Sequence, residues 1–457
     1  MHSLSARLDR LPGCWAVWRL VVLLSLGGCF EFYDLFLTAY LSPALESAGV
    51  FRKGAAGLFG LSDQASFASA TFAGLFLGTI LFAQVADKFG RRAIFTASLL
   101  WYSAMTFGMA LQTSAASLDA WRFLAGIGIG VELVTIDSYI AELVPARLRG
   151  RAFAVNQSIQ FLAVPIVGLS CAILAPHRFF GVAGWRWVML IGALGALIVW
   201  WLRRAIPESP RWLDQQGRVA EAQAVVALLE AQAQAQSGPL PPPRPAAGEA
   251  RIDGHLREIF APPYRARMLM LTVFNFFQTV GFYGFGNWVP KLIEASGADV
   301  LHSLHYAVAI AIAYPVGPLL CLGVADRYER KWQIVAAAAG TASFGLLFAA
   351  LRAPVALISL GVLITLSNNL LSYSYHAYQA ELFPTRIRAR AVGFVYSWSR
   401  LSTVLTSLMI GFFLDRFGRP GVFGFIAASM AVVCISIGVF GPRTRRLTLE
   451  DIARPGS

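Results

Sequence analysis

Twelve long apolar blocks dominate this chain and restrict it to one class of fold. Each block has about 20 residues, the length at which an α-helix crosses the hydrocarbon core of a membrane. The charged fraction of 14% is also well below the roughly 25% of soluble proteins. We therefore predict an all-α membrane protein with twelve transmembrane helices. The predicted spans are 18–41, 64–86, 93–112, 122–144, 152–174, 186–203, 268–290, 305–325, 332–351, 355–380, 391–414 and 421–440.

The position of the basic residues explains the net charge of +13. Arginine and lysine are concentrated in alternate loops, as the positive-inside rule describes for cytoplasmic loops. The rule predicts that both termini are cytoplasmic, and it removes the reason to expect a nucleic-acid partner. The five cysteines are scattered and show no metal-ligand or disulfide spacing, so we expect no metal.

The blocks divide into six before and six after a long polar interval. We predict an N-terminal six-helix bundle at 1–203, a cytoplasmic linker at 204–267, a C-terminal six-helix bundle at 268–440 and a cytoplasmic tail at 441–457. Within the linker, "EAQAVVALLEAQAQAQ" is typical of a surface helix. The following "SGPLPPPRPAAGEA" is too rich in proline and small residues to form a core, and it predicts disorder.

The two sets of blocks carry matching loops. "ADKFGRRA" follows the second block and "ADRYERKW" follows the eighth. "AELVPARLRGRA" follows the fourth and "AELFPTRIRARA" follows the tenth. Two matched pairs in the same order indicate a duplication, and hence two pseudo-symmetric bundles. In transporters built from repeats, the substrate site lies near the bilayer midplane between the repeats.

These loops, with "GWRW", "PESPRWL" and the terminal "GPRTRRLTLEDI", resemble the sugar-porter branch of the major facilitator superfamily over nearly the whole length. Ala83 stands where that family usually has glycine, and Arg443 where it usually has glutamate. The resemblance implies a cytoplasmic latch of ion pairs between the two halves, although the same charges would also set topology. The implied latch residues are Asp87, Arg91, Arg92, Glu142, Arg149, Asp326, Arg330, Glu381 and Arg388.

Charged residues inside the spans are the strongest functional signal, because each costs a few kcal/mol unless it is paired or hydrated. Glu31 and Asp34 are three residues apart and share one face of the first helix. In proton-coupled sugar porters an aspartate of helix 1 pairs with an arginine of helix 4, so the resemblance assigns proton coupling to Asp34 and Arg122. A fixed ion pair is the alternative. Glu31 is either a second proton site or a residue at the cavity rim.

The substrate signature of sugar porters is broken in the seventh span, "FNFFQTVGFYGFGNW". Gln278 is kept, but Phe277 replaces its glutamine neighbour and Tyr283 replaces an asparagine. An aromatic cavity suits a flat, partly apolar ligand, and Arg400 could hold its carboxylate with two hydrogen bonds. The alternative is that the aromatic residues face lipid or pack between helices. The candidate substrate-binding residues are Arg400, Glu132, Asp137, Gln278, Tyr283, Trp288, Asn369 and Tyr373.

Four segments, "FEFYDLFLTAY", "GVELVTIDSYIAE", "FYGFGNWVP" and "YSWSR", resemble bacterial metabolite:proton symporters of the nicotinate and aromatic-acid type. This implies a monomer in the bacterial inner membrane that takes up a small organic carboxylate, with lipid around it, the proton as coupling ion and no other cofactor. The alternatives are a proton-coupled sugar or polyol symporter, and a non-transporting sensor. A sensor is disfavoured by the short tail, and we expect no enzyme because no catalytic motif is present.

Overall fold

Helices occupy all twelve predicted span positions in the computed structural model. The structure describes residues 4–52, 60–202, 206–243, 256–262, 264–324, 328–383 and 385–444. Eight stretches within these ranges are long and apolar enough to cross a membrane. One of them, Arg390–Phe440, contains two predicted spans. The three predicted spans outside the eight stretches coincide with helices α3, α5 and α8 as numbered below.

The described residues of the first half form eight α-helices and a short hairpin. The fifth predicted span is formed by two consecutive helices, α6 and α7. The elements are α1 (Leu4–Asp9), α2 (Trp15–Ser47), α3 (Asp63–Phe89), α4 (Arg91–Ala110), α5 (Ala115–Leu143), a 3-10 turn (Ala146–Leu148), α6 (Arg149–Phe161), α7 (Ala163–Leu174), β1 (Arg178–Phe179), β2 (Val182–Ala183) and α8 (Gly184–Leu202). The two strands pair antiparallel.

The linker and second half follow. The last helix changes direction at Gly418, whose φ of 63° is outside the helical region and is tolerated by glycine. The elements are α9 (Pro210–Gln215), α10 (Val219–Ser237), a 3-10 turn (Leu256–Phe260), α11 (Tyr264–Gly286), α12 (Val289–Glu294), α13 (Val300–Ala311), α14 (Ala313–Val324), α15 (Arg330–Ala350), α16 (Pro354–Glu381) and α17 (Thr385–Phe440).

The surface helix predicted in the linker corresponds to α10, which lies against the start of the chain. Glu230 of α10 accepts hydrogen bonds from Arg7 at 2.6 Å and from Arg10 at 2.7 Å. Although burial raises the pKa of Glu230, these hydrogen bonds lower it below its ordinary value overall. The linker is therefore bound to the first half. The second half of the predicted disordered stretch, 244–250, lies outside the described residues.

Two helices of the first half approach each other at glycines. Gly74 and Gly78 of α3 face Gly126 and Gly130 of α5, main chain against main chain. A Cβ atom added at Gly126 would lie 3.1 Å from the backbone nitrogen of Leu75. Close approach of this kind replaces the hydrophobic driving force, which is weak between helices in lipid.

The glycines of α5 do not all face the same helix. Gly126 and Gly130 face α3, whereas Gly128 faces Ser98 and Trp101 of α4. Successive even positions on a helix are about 200° apart. The glycine run therefore allows close packing against two neighbouring helices.

We expect Gly126→Ala to lower the stability of the protein by about 1–3 kcal/mol, the usual cost of overpacking. The added methyl would press on the main chain of α3, which cannot move without separating the helices. Thermal unfolding in detergent measures the effect. Gly424→Ala is the matched control, because a Cβ at this exposed helical glycine meets no atom within 4 Å. Equal unfolding temperatures for both variants would contradict the assigned packing.

The main contacts between the two halves join α2 to α12 and α13, α3 to α17, α6 to α14, and α7 to α13. Ser158 of α6 donates to the carbonyl of Pro315 in α14 at 2.5 Å, and Tyr40 of α2 donates to the carbonyl of Ala307 in α13 at 3.4 Å. The residues of the candidate site lie at this contact between the halves or next to it.

Candidate functional site

An ion pair inside the first half joins the two residues that the sequence singled out most strongly. Arg122 Nη1 lies 2.9 Å from Asp34 Oδ2, and the side chains are 0% and 1% exposed. Arg122 Nη2 also donates to the backbone carbonyl of Asp34. The pair connects α5 to α2 in a region without water access, so neither charge is compensated by solvent.

Threonine hydroxyls complete the surroundings of this pair. Arg122 donates Nε to Thr71 and Nη2 to Thr38, both at 2.9 Å, and Thr106 donates to Asp34 Oδ1 at 3.2 Å. Four helices, α2, α3, α4 and α5, thus contribute to one polar network. A buried ion pair is tolerated when its remaining donors and acceptors are satisfied. Losing the charge on Asp34 would remove the ionic part of its contact with Arg122.

Glu31 lies one turn before Asp34 and belongs to a different environment. It is fully buried, and it interacts electrostatically with Tyr283 of α11. Asp34 is directed toward α4 and α5, whereas Glu31 is close to the second half. The two carboxylates share a helix face, as predicted, but one serves the interior of the first half and the other the contact between halves.

A second buried cation, Arg400, lies in α17 among tyrosines. Its side chain is 6% exposed, Nη2 donates to the hydroxyl of Tyr396 at 3.0 Å, and it interacts electrostatically with Tyr283 and Tyr375. Within the described part of the chain, Arg400 Nε has no hydrogen-bond partner. The guanidinium therefore keeps a donor that a ligand could use.

His376 of α16 stands beside this arginine. Its ring stacks on Tyr375 at a centroid distance of 4.2 Å and lies 5.6 Å from the ring of Tyr396. His376 is exposed, whereas Tyr375 and Arg400 are buried, and the imidazole interacts electrostatically with Arg400. Histidine is rare within membrane spans, and this signal was visible in the sequence but was not used to select a site residue.

Aromatic rings close the space between Arg400 and the first half. Phe161 of α6 stacks on Phe282 of α11 at 6.1 Å and contacts Tyr314 of α14 edge-on at 5.5 Å. Phe72 of α3 contacts Tyr283 edge-on at 5.0 Å. These contacts place a layer of rings between the halves at the level of Glu31.

The sequence and fold can now be compared with known proteins. The family described as "Sugar (and other) transporter" matches residues 20–455. The chain belongs to this family. It is 31% identical to the metabolite transport protein YyaJ of Bacillus subtilis (strain 168), with 96% of this chain and 95% of that protein covered. It is 25% identical to the niacin transporter NiaP of Acinetobacter baylyi, with 98% and 99% covered.

Solved structures agree on the fold. The xylose transporter XylE from E. coli, in a partially occluded inward-open conformation, superposes with a TM-score of 0.76 at 19% identity, covering 95% of this chain and 100% of that one. This transporter is therefore an all-α membrane protein with the major facilitator fold, as predicted. Its family indicates a small-molecule substrate and a multi-pass location in the membrane.

Two predicted substrate residues of this transporter lie in packing contacts. Trp288 is 1% exposed and packs 3.5 Å from the Cβ position of Gly411. Asn369 is 1% exposed, donates weakly to the carbonyl of Ala313 at 3.5 Å, and packs against Gly317. Both side chains fill spaces between helices, where packing alone can account for an aromatic or an amide side chain. Their roles in substrate binding stay predictions.

The remaining candidates are placed less closely. Gln278 is 6% exposed in α11, and Tyr373 is half-buried in α16. Glu132 and Asp137 lie in α5, but their side chains are outside what the structure describes. Their roles in binding stay predictions.

Two of the motif arginines form contacts within their own half. Arg330 forms an ion pair with Glu381, and this pair lies inside the second half. The reason is geometric, since the start of α15 and the end of α16 meet at the same end of two antiparallel neighbours. In the first half, Arg149 donates to the backbone carbonyl of Val144 at 3.2 Å, again within one half. The latch between the halves stays a prediction.

The other latch residues are only partly accounted for. Arg92 is exposed, and its backbone nitrogen lies 3.3 Å from both carboxylate oxygens of Glu208. Glu142 is half-buried. The side chains of Asp87, Arg91 and Arg388 and the whole of Asp326 lie outside the described residues.

Proposed function

We propose that this transporter takes up a small aromatic carboxylate together with a proton by alternating access. The observation that carries the proposal is Arg400, a buried guanidinium with an unused donor, surrounded by Tyr283, Tyr375 and Tyr396. A carboxylate would satisfy that donor through a charge-assisted hydrogen bond. Aromatic rings around it would accept a flat ligand.

The comparison with NiaP supports this substrate class. That relative is named for niacin transport, and niacin is a planar ring bearing one carboxylate. Asp34 would carry the proton, because it is the buried carboxylate whose ion pair with Arg122 must change when a proton binds. A buried acid next to a guanidinium exchanges protons only when a conformational change alters one of the two. Such coupling is what a symporter requires.

The orientation forms part of the same proposal. The basic loops favour cytoplasmic termini in a bacterial inner membrane. The side of the membrane where α2 ends, called the α2-end side below, would then be extracellular. We further propose that the protein works as a monomer.

A proton-coupled sugar symporter is the second candidate, supported by the fold of XylE and by Gln278. It requires many hydrogen-bonding side chains around a polyhydroxylated ring. The rings of Phe161, Phe282 and Tyr314 occupy the contact between the halves instead.

Uptake into liposomes that contain the purified protein tests both candidates. We expect labelled nicotinate and benzoate to accumulate when an inward proton gradient is imposed, and glucose and xylose not to accumulate. Protein-free liposomes correct for passive permeation of the protonated acids. Sugar uptake without acid uptake would replace the carboxylate proposal with the sugar alternative.

A further inference from the structure

An ion pair joins the two halves directly on the α2-end side. Lys291 Nζ in α12 lies 2.5 Å from Glu46 Oε2 in the last turn of α2. The side chains are only 22% and 10% exposed. Because α2 belongs to the first half and α12 to the second, this side cannot open at α2 and α12 unless the pair separates.

Close packing also joins the two halves on this side. Gly168 of α7 provides space for Tyr40 and for Val308 of α13, both of which would be within 2.9 Å of an added Cβ. Trp288 fills the space beside Gly411 of α17. The ion pair therefore adds a charged contact to a surface that is also held by packing and by the hydrogen bond from Tyr40 to the carbonyl of Ala307.

Lys291 has two further acidic neighbours, and both belong to its own half. Glu294 Oε2 lies 3.3 Å from Lys291 Nζ, one helical turn away. Asp415 of α17 also interacts electrostatically with Lys291. When α2 moves away, the ammonium group of Lys291 can pair with these acids instead, because they would move with it. The cost of breaking the pair with Glu46 is thereby reduced but not removed.

We propose that Glu46 and Lys291 form the closure on the α2-end side, and that competition between Glu46 and Glu294 for Lys291 sets how often this side opens. Glu46 favours the closed state, because it is reached only when the halves are together. Glu294 favours the open state, because it remains available after they separate. The proposal uses the proposed function only to call this side extracellular.

Spin-label distance measurements test the proposal without any substrate. Labels at Thr113→Cys and Ala353→Cys, in a protein whose five native cysteines are replaced, report the separation of the halves on this side. Both positions are exposed, beyond the end of α4 and before the start of α16. We expect Glu46→Gln to raise the ratio of long to short distances about fivefold, the change expected for an ion pair worth about 1 kcal/mol.

The opposite effect of the second acid makes the test specific. Glu294→Gln should lower the ratio of long to short distances, because Lys291 then has less reason to leave Glu46. Arg218→Gln, which breaks an exposed ion pair with Glu221 in the linker, should leave the distances unchanged. An unchanged distribution in Glu46→Gln, or a shift of both acid variants in the same direction, would overturn the proposal. Since no transport is measured, neither result depends on the substrate or on proton coupling.

Discussion

Replacing Asp34 with asparagine should abolish proton-driven accumulation of substrate while leaving exchange of substrate across the membrane. A gradient of one pH unit stores about 1.4 kcal/mol per proton, so one coupled proton supports about tenfold accumulation. In Asp34→Asn the internal concentration should rise only to the external value. Asparagine keeps the size of the side chain and can still accept from Thr106, but it cannot bind or release a proton.

The measurement compares uptake driven by a pH gradient with counterflow in the same liposomes. Counterflow requires only that both states of the cycle are reached with substrate bound. Glu221→Gln, which removes an exposed carboxylate of the linker, is the matched loss of one acidic group and should leave both activities intact. Full tenfold accumulation by Asp34→Asn would show that the proton binds elsewhere, with Glu31 as the next candidate.

The variant also needs a test of folding, because it leaves Arg122 as a buried charge. Removing one partner from a buried ion pair typically costs about 3–5 kcal/mol. Arg122 retains its hydrogen bonds to Thr38, to Thr71 and to the backbone carbonyl of Asp34. These three contacts reduce the cost, and intact counterflow would show that the variant still folds into a working transporter.

The pairing of Asp34 with Arg122 could be anticipated from the resemblance to proton-coupled sugar porters, in which an aspartate of helix 1 pairs with an arginine of helix 4. The hydroxyls of Thr38, Thr71 and Thr106 around this pair could not be anticipated. In a helix, a threonine hydroxyl commonly donates to a backbone carbonyl of the same helix, as Thr71 also does at 3.0 Å. Nothing in the local sequence distinguishes a threonine that contacts a guanidinium from one that does not.

Residues on the C-terminal half show where helix patterns stop being informative. A membrane helix is apolar toward lipid and toward its neighbours, so periodicity does not reveal which face lines a cavity. Trp288 and Asn369 were predicted to bind substrate for their chemistry alone, and both lie between helices. His376 is the reverse case, since its position beside Arg400 depends on how α16 packs against α17.

Arg330 and Glu381, which the resemblance assigns to the latch, pair within one half in this structure, and the latch between the halves stays a prediction. Matched acidic and basic motifs reveal that charges meet near helix ends, but not which helix supplies the partner. The duplication gives each half its own copy of both motifs. An ion pair within one half is therefore as consistent with the sequence as an ion pair between the halves. Only the arrangement of α15 beside α16 decides between them.

Arg400→Lys should weaken binding of an aromatic carboxylate about tenfold or more, because hydrogen bonds to charged groups contribute about 1.5–3 kcal/mol. Lysine keeps the positive charge but replaces a planar fork of donors with a single ammonium group. It also loses the stacking of the guanidinium on Tyr396, whose ring centroid is 4.9 Å from Arg400 Cζ. The concentration of unlabelled nicotinate or benzoate that halves uptake measures the change.

A second arginine of the same helix provides the control for that experiment. Arg416 lies over the ring of Phe412 at 5.5 Å, so Arg416→Lys also exchanges an arginine stacked on an aromatic ring. Its side chain is exposed beyond the predicted cavity, and its substitution should leave the half-inhibitory concentration unchanged. If Arg400→Lys also left it unchanged while Asp34→Asn still lost accumulation, proton coupling would stand and the carboxylate would have to bind elsewhere. A loss of affinity in Arg400→Lys alone would place the ligand's carboxylate beside Tyr283, where the two halves meet. Substrate binding would then directly affect how far the two halves separate.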